Sequence, residues 1–171
     1  MANFDGALKD VRIRQALQMS IDYKGIVSAI LNGAATPAAA IPSSATWGYA
    51  QGTFQKAYEK LPPTVQNLDA AKKLVTEAGA PTKPIVVAYD SGDDTIASVL
   101  ASVQDSAKQV GLAVELKPMP TSTFLTLYYD EKARQGIDMF AATSTFEVPD
   151  PLELYFQMLS PGPYNYTGYE N

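Results

Sequence analysis

The sequence predicts an α/β layered domain, and three observations carry that prediction. Short β-type runs at 84–89, 112–117 and 137–143 alternate with longer stretches whose apolar residues recur at helical spacing. The helical stretches open on Asp, Asn, Thr or Ser, and several close on Gly. A content of 46% hydrophobic residues over 171 positions is enough for the core of one globular domain, taken here as 1–171.

The elements follow in order. "DVRIRQALQMSID" reads as a helix that Asp10 can cap, with Ile13, Ala16, Leu17, Ser20 and Ile21 on one face. Asp22 can cap a second helix, "YKGIVSAILNG", with Ile26, Val27, Ile30 and Leu31 inward and Gly33 ending it. Residues 34–66 then lose any sustained period. "AATPAAAIPSSATWGYAQGTF" is rich in Ala, Pro, Ser and Gly, and is expected to run irregularly over the surface, anchored by Trp47, Tyr49 and Phe54. So long a loop in a compact domain is either functional or a sign that part of the structure is missing.

Helical order returns over 67–79, with Leu68, Ala71, Leu74, Val75 and Ala78 on one side. After the first strand, 93–111 forms a long amphipathic helix through Ile96, Val99, Leu100, Val103, Ala107 and Val110. "LAVELK" alternates as a half-buried strand should. A helix over 121–136, capped by Thr121 or Ser122, precedes the third strand, and a last helix covers 150–159. Strands alternating with helices imply right-handed crossovers. In open sheets of this kind ligands gather beyond the carboxyl ends of the strands. "YDSGDDT" and "TSTFEVPDP" both fall there.

Composition removes several function classes. The net charge is -5 and no Lys/Arg run forms a basic stripe, which excludes a nucleic-acid surface and fits an anionic membrane poorly. There is no cysteine and no histidine, hence no disulfide, no thiolate nucleophile, no usual zinc ligand and not the commonest general base. No metal or cofactor is expected. No apolar run approaches the ~20 residues of a membrane span.

Three carboxylates crowd the turn after the third strand. Asp150 suits a helix N-cap, Pro151 the first helical position and Glu153 the third, a capping-box-like start. Glu147 precedes the cap and gains nothing from the helix pattern, so it is either a solvated loop acid or an acceptor for an ammonium group. Asp90, Asp93 and Asp94 do not match a calcium loop, and Asp93 or Asp94 reads as a helix cap. The ten tyrosines together suit a binding surface.

The ordered set "DVRIRQALQMSIDYKGIVSAILNGAATPA", "AKKLVTEAG", "VGLAVELKPM" and "DMF…PDPLELYFQML…NYTGYEN" resembles the solute-binding proteins of the oligopeptide/dipeptide/nickel ABC-transporter family. The resemblance runs from about Asp10 to Asn171, and "D-V-R-x-R-x-A-L-x-x-x-I-D" is its strongest part. It implies one lobe of a periplasmic-binding-protein type II-like fold, a small layered sheet flanked by helices. Family members are longer, with two lobes that close on a ligand. The chain is therefore expected to be an isolated lobe whose missing second lobe is a partner, with an extracytoplasmic location and a native signal peptide outside this chain.

The resemblance also implies a site. In peptide binders the turn after the third strand carries a Gly-Trp and then an Asp that pairs with the peptide's α-amino group. Aligned on Pro151, that Asp falls at Glu147, Ser144 stands where the Trp would be and Thr143 where the Gly would be. The resemblance thus assigns Ser144, Thr145, Phe146 and Glu147 to the ligand, with Tyr89, Thr95 and Thr121 near the cleft. Losing the Trp enlarges the pocket, which leaves an opine or a sugar open beside a peptide. Delivery to ABC permease subunits follows from the same resemblance. A hydrolase using Glu147 and Asp150 as a carboxylate pair, and a stand-alone interaction domain that self-associates through an apolar patch, are the readings from other function classes.

Overall fold

A computed structural model describes residues 6–145, 147–153, 155 and 165. Three parallel strands, β1 (Ile85–Asp90), β2 (Val114–Met119) and β3 (Met139–Ala141), form one sheet in the order β2-β1-β3. Val87 lies opposite Leu116 and Met139, and Tyr89 opposite Pro118 and Ala141. Around the sheet run α1 (Val11–Ser20), α2 (Tyr23–Gly25), α3 (Gln51–Tyr58), α4 (Leu68–Ala78), α5 (Asp94–Gln109) and α6 (Thr121–Phe124).

The pleat sends alternate residues to opposite faces, and each face has its own core. Ile85, Val87 and Val114 join Leu8, Ile13, Leu17, Val75, Leu100 and Leu112 beneath α1, α4 and α5. Ala88 and Met119 join Phe124, Leu127 and Ile137 on the other face. Full burial of each large aliphatic side chain contributes about 1.5–3 kcal/mol, so the larger cluster supplies most of the hydrophobic stabilisation.

Local caps fix where the helices begin. Asp10 accepts from the Arg12 amide at 2.8 Å, Asn67 from Ala70 at 3.0 Å and Asp93 from Ile96 at 2.9 Å. Each such cap is worth ~1 kcal/mol. Asp10 also receives the Arg12 guanidinium, whose hydrogen bonds hold its carboxyl well below the ordinary value, at about 2.

Five expectations need correction. The second helix is one turn of α2 followed by a π-helical turn at Ile26–Ile30, in which the Leu31 amide reaches the Ile26 carbonyl at 3.1 Å. Only Ile26 of its apolar face is buried, so packing does not hold a regular helix there. The stretch 34–66 is not irregular throughout, because α3 lies within it, preceded by a 3-10 turn at Ser44–Thr46. Nor is 121–136 one helix. It breaks into α6 and two 3-10 turns, Leu125–Tyr128 and Lys132–Arg134, where Asp130 accepts from the Lys132 amide at 2.8 Å and turns the chain. The residue at its cap is Pro120, and neither Thr121 nor Ser122 caps it.

The third strand is also shorter than its apolar run. Asp138 takes the ladder position before it with its side chain. The Asp138 amide donates to the Val86 carbonyl at 3.0 Å, and its Oδ2 accepts from the Val86 amide at 2.9 Å. Of the last helix, residues 152, 153 and 155 are helical, while 154 and 156–159 lie outside the described residues.

Candidate functional site

Because all three strands are parallel, their carboxyl ends share one edge, where Asp90, Met119 and Ala141 finish β1, β2 and β3. The Ser91 amide continues the ladder to the Met119 carbonyl at 2.8 Å. Asp90 then organises the first turn: its Oδ1 accepts from the Gly92 amide at 2.9 Å and from the Thr121 hydroxyl at 2.8 Å. Thr121, the first residue of α6, is therefore tied to this edge through Asp90 and does not cap the helix. Thr95 is exposed in the first turn of α5. Tyr89 is half-buried, and its ring packs against the larger core cluster.

The chain leaves β3 as an exposed run. Ala142, Thr143, Ser144 and Thr145 are exposed, as is Glu147. Phe146 lies outside the described residues. Glu147 makes no hydrogen bond or ion pair with another described residue.

Its neighbours behave differently. Asp150 Oδ1 accepts from the Leu152 amide at 2.8 Å, the bond expected of an N-cap, and Pro151 is fully buried. The reciprocal arm of the capping box is displaced. Glu153 Oε2 faces the Val148 amide at 3.4 Å, while the Asp150 amide turns to the Val148 carbonyl at 2.8 Å. Thus Asp150 and Glu153 are structural, and Glu147 is the acid of this turn left facing solvent.

Two contacts at this edge had no signal in the sequence. The Gly48 amide donates to the Pro149 carbonyl at 2.9 Å, and the Tyr49 hydroxyl donates to Asp150 Oδ1 at 3.3 Å. Partial burial, and then the Asp150 carboxylate beside it, push the Tyr49 phenol above the ordinary tyrosine range. Behind them Trp47, 8% exposed, stacks on Phe54 at 6.0 Å and meets Tyr58 edge-on at 5.6 Å. Asp90 was visible as a rejected calcium ligand and as part of "YDSGDDT" at the strand end, but not as a partner of Thr121; Gly48 and Tyr49 act on partners about a hundred positions away, as the 101-residue separation of Tyr49 and Asp150 shows.

Comparison with known proteins adds what geometry does not. Residues 1–166 match the family described as "Bacterial extracellular solute-binding proteins, family 5 Middle". A Brucella ovis protein provisionally named as an ABC transporter peptide-binding protein is 28% identical over 127 residues, covering 72% of this chain and 22% of its own length. The substrate-binding protein CtaP of Listeria monocytogenes superposes with a TM-score of 0.77 at 27% identity, over 96% of this chain and 32% of that one. NikZ from Campylobacter jejuni, solved with Ni(L-His), gives a TM-score of 0.78 at 18% identity, over 100% of this chain and 35% of that one. At that lower identity the likeness speaks for the fold alone. The chain spans at most about a third of the length of each of these proteins.

Proposed function

Because the chain belongs to the bacterial extracellular solute-binding proteins, family 5, of ABC transporters, we propose that it is one lobe of an extracytoplasmic receptor that holds a peptide, or a similar small solute, by a cationic end. The observation that carries this reading is Glu147: an exposed acid beyond the carboxyl end of a parallel strand, without a described hydrogen bond or ion pair, beside two acids used structurally. A carboxylate so placed is free to accept charge-assisted bonds from an ammonium group. Ser144 and Thr145 lie on the same exposed run, and Thr121 with Asp90 forms a hydroxyl–carboxylate pair at the neighbouring strand end. The name of the Brucella relative supports a peptide.

No covalent chemistry enters this function. The ligand would be enclosed by a second lobe and passed to ABC permease subunits, with affinity arising from contacts on both sides of a closing cleft. The hydrolase alternative loses ground because Asp150 Oδ1 already accepts two hydrogen bonds.

Thermal unfolding with trialanine, N-acetyl-trialanine and a neutral oligosaccharide tests the proposal. A ligand that binds only the folded chain stabilises it by about 2.7 kcal/mol at 100 Kd. The expected result is a rise in Tm with trialanine that acetylation removes. An equal rise with both peptides, or a rise with the oligosaccharide alone, overturns the reading.

A further inference from the structure

We infer that Gly48 and Tyr49 are positioning residues for the acidic turn: they form a strut that fixes one end of the run bearing Glu147. This rests on the reading of Glu147 given above.

Residues 142–145 and 147 make no hydrogen bond with another described residue. Among the described residues, hydrogen bonds therefore hold this stretch on either side of it. One end is Ala141, paired with Tyr89 in the sheet. The other is Val148–Asp150, where the Val148 amide donates to Glu153 Oε2 at 3.4 Å and where the strut attaches: Gly48 amide to Pro149 carbonyl at 2.9 Å, and Tyr49 hydroxyl to Asp150 Oδ1 at 3.3 Å. The Asp150 oxygen that Tyr49 meets is also the one that caps Leu152, so turn, cap and strut converge on one atom.

The strut is itself immobilised. Trp47 is buried between Phe54 and Tyr58, and the Tyr49 ring meets Phe54 edge-on at 5.7 Å. Thr46 is 1% exposed and returns its hydroxyl to the Ser43 carbonyl at 2.8 Å. Gly48 is required at its position, since a Cβ there would fall inside contact distance of the Pro149 carbonyl oxygen. A side chain held in advance at the place it is needed binds without the cost of ordering a loop. That is the role assigned to the strut.

Tyr49→Phe removes only the hydroxyl, and two readouts test the proposal in the 171-residue chain. The first needs no ligand. Exchange of the hydrogen-bonded amides at the attachment, Gly48, Asp150 and Leu152, should quicken in Y49F by about two- to tenfold, the equivalent of one hydrogen bond of ordinary net strength, while β1 and β2 amides keep their rates. Unchanged exchange in the turn overturns the strut. The second is a double-mutant cycle with trialanine as the probe. Y49F should weaken binding by a similar factor when Glu147 is present and by nothing further in E147Q. An equal loss in both backgrounds would make Tyr49 merely structural and overturn the positioning role. If E147Q alone leaves trialanine affinity unchanged, it is the reading of Glu147 that fails, and the exchange result decides the strut by itself.

Discussion

Around the sheet, the helices α1, α4 and α5 each begin on a cap two or three residues from the amide it serves: Asp10 on Arg12, Asn67 on Ala70, Asp93 on Ile96. α4 and α5 are each followed within a few residues by a strand of the sheet, and α1 packs against both of these helices. In the segment from 34 to 66, α3 and the 3-10 turn before it begin without a side-chain cap. Its contacts reach far: Ala39 amide to the Tyr58 hydroxyl, Gln66 to the Ser20 carbonyl, Gly48 to Pro149, Tyr49 to Asp150. The first region is a frame whose stability is nearly a sum of local choices plus a core. The second is a brace, held by aromatic packing and a few long-range bonds, and it touches the candidate site where the frame does not. The lesson is a division of labour. The frame puts three strand ends on one edge, and the brace sets where the acid beyond β3 stands.

The largest expected effect tests the frame. Leu127 is fully buried, and Leu127→Ala should destabilise the whole chain by about 2–5 kcal/mol in a denaturant titration. Protection should fall together in β1, β2 and the helices packed on them. A loss confined to the 3-10 turn carrying Leu127 would show that the smaller core is not coupled to the sheet.

Gly48→Ala tests the brace. The added methyl meets the Pro149 carbonyl, and relieving the clash should cost about 1–3 kcal/mol, read as faster exchange in 46–58 and 147–153 with β1–β2 protection kept. If G48A instead lowers protection in the sheet as L127A does, frame and brace are one unit and the comparison fails.

The smallest effect is a titration. The Tyr49 phenol ionises above the ordinary range because of partial burial and then the Asp150 charge. For a group whose pKa is raised on folding, the associated stability is complete below the unfolded value, near 10 for tyrosine, and is lost as pH rises through the folded value. The difference in ultraviolet phenolate absorbance between wild type and Y49F should therefore show a high midpoint that D150N brings down. A midpoint unmoved by D150N would remove the Tyr49–Asp150 contact from the account.

The sequence displayed the frame well and the brace poorly, for a physical reason. Asp93 as a cap, the alternation of Val114, Glu115 and Leu116, and the inward face of α1 are all decided by neighbours a few residues away. The failures are equally specific. The 121–136 stretch has helical spacing, but only Phe124 and Leu127 of its α6 and first 3-10 turn are buried, and Thr121 is drawn to Asp90 across 31 residues. Trp47 was legible as an anchor because an aromatic in an Ala/Pro/Ser-rich stretch has few other uses. Its neighbours Gly48 and Tyr49 were not legible in their role, since nothing local marks Pro149 and Asp150 as their partners. At the site, Asp150 as cap was readable from its spacing, whereas the displaced arm of Glu153 depends on how the turn bends.

Whether Glu147 meets a ligand's cation is decided by one titration: trialanine and N-acetyl-trialanine against wild type and E147Q. A hydrogen bond to a charged group is worth about 1.5–3 kcal/mol. Wild type should prefer the free amine by about ten- to a hundredfold, the equivalent of that energy, and E147Q should bind both peptides equally, at the affinity wild type has for the acetylated one. A preference for the free amine that survives in E147Q would contradict the role given to Glu147.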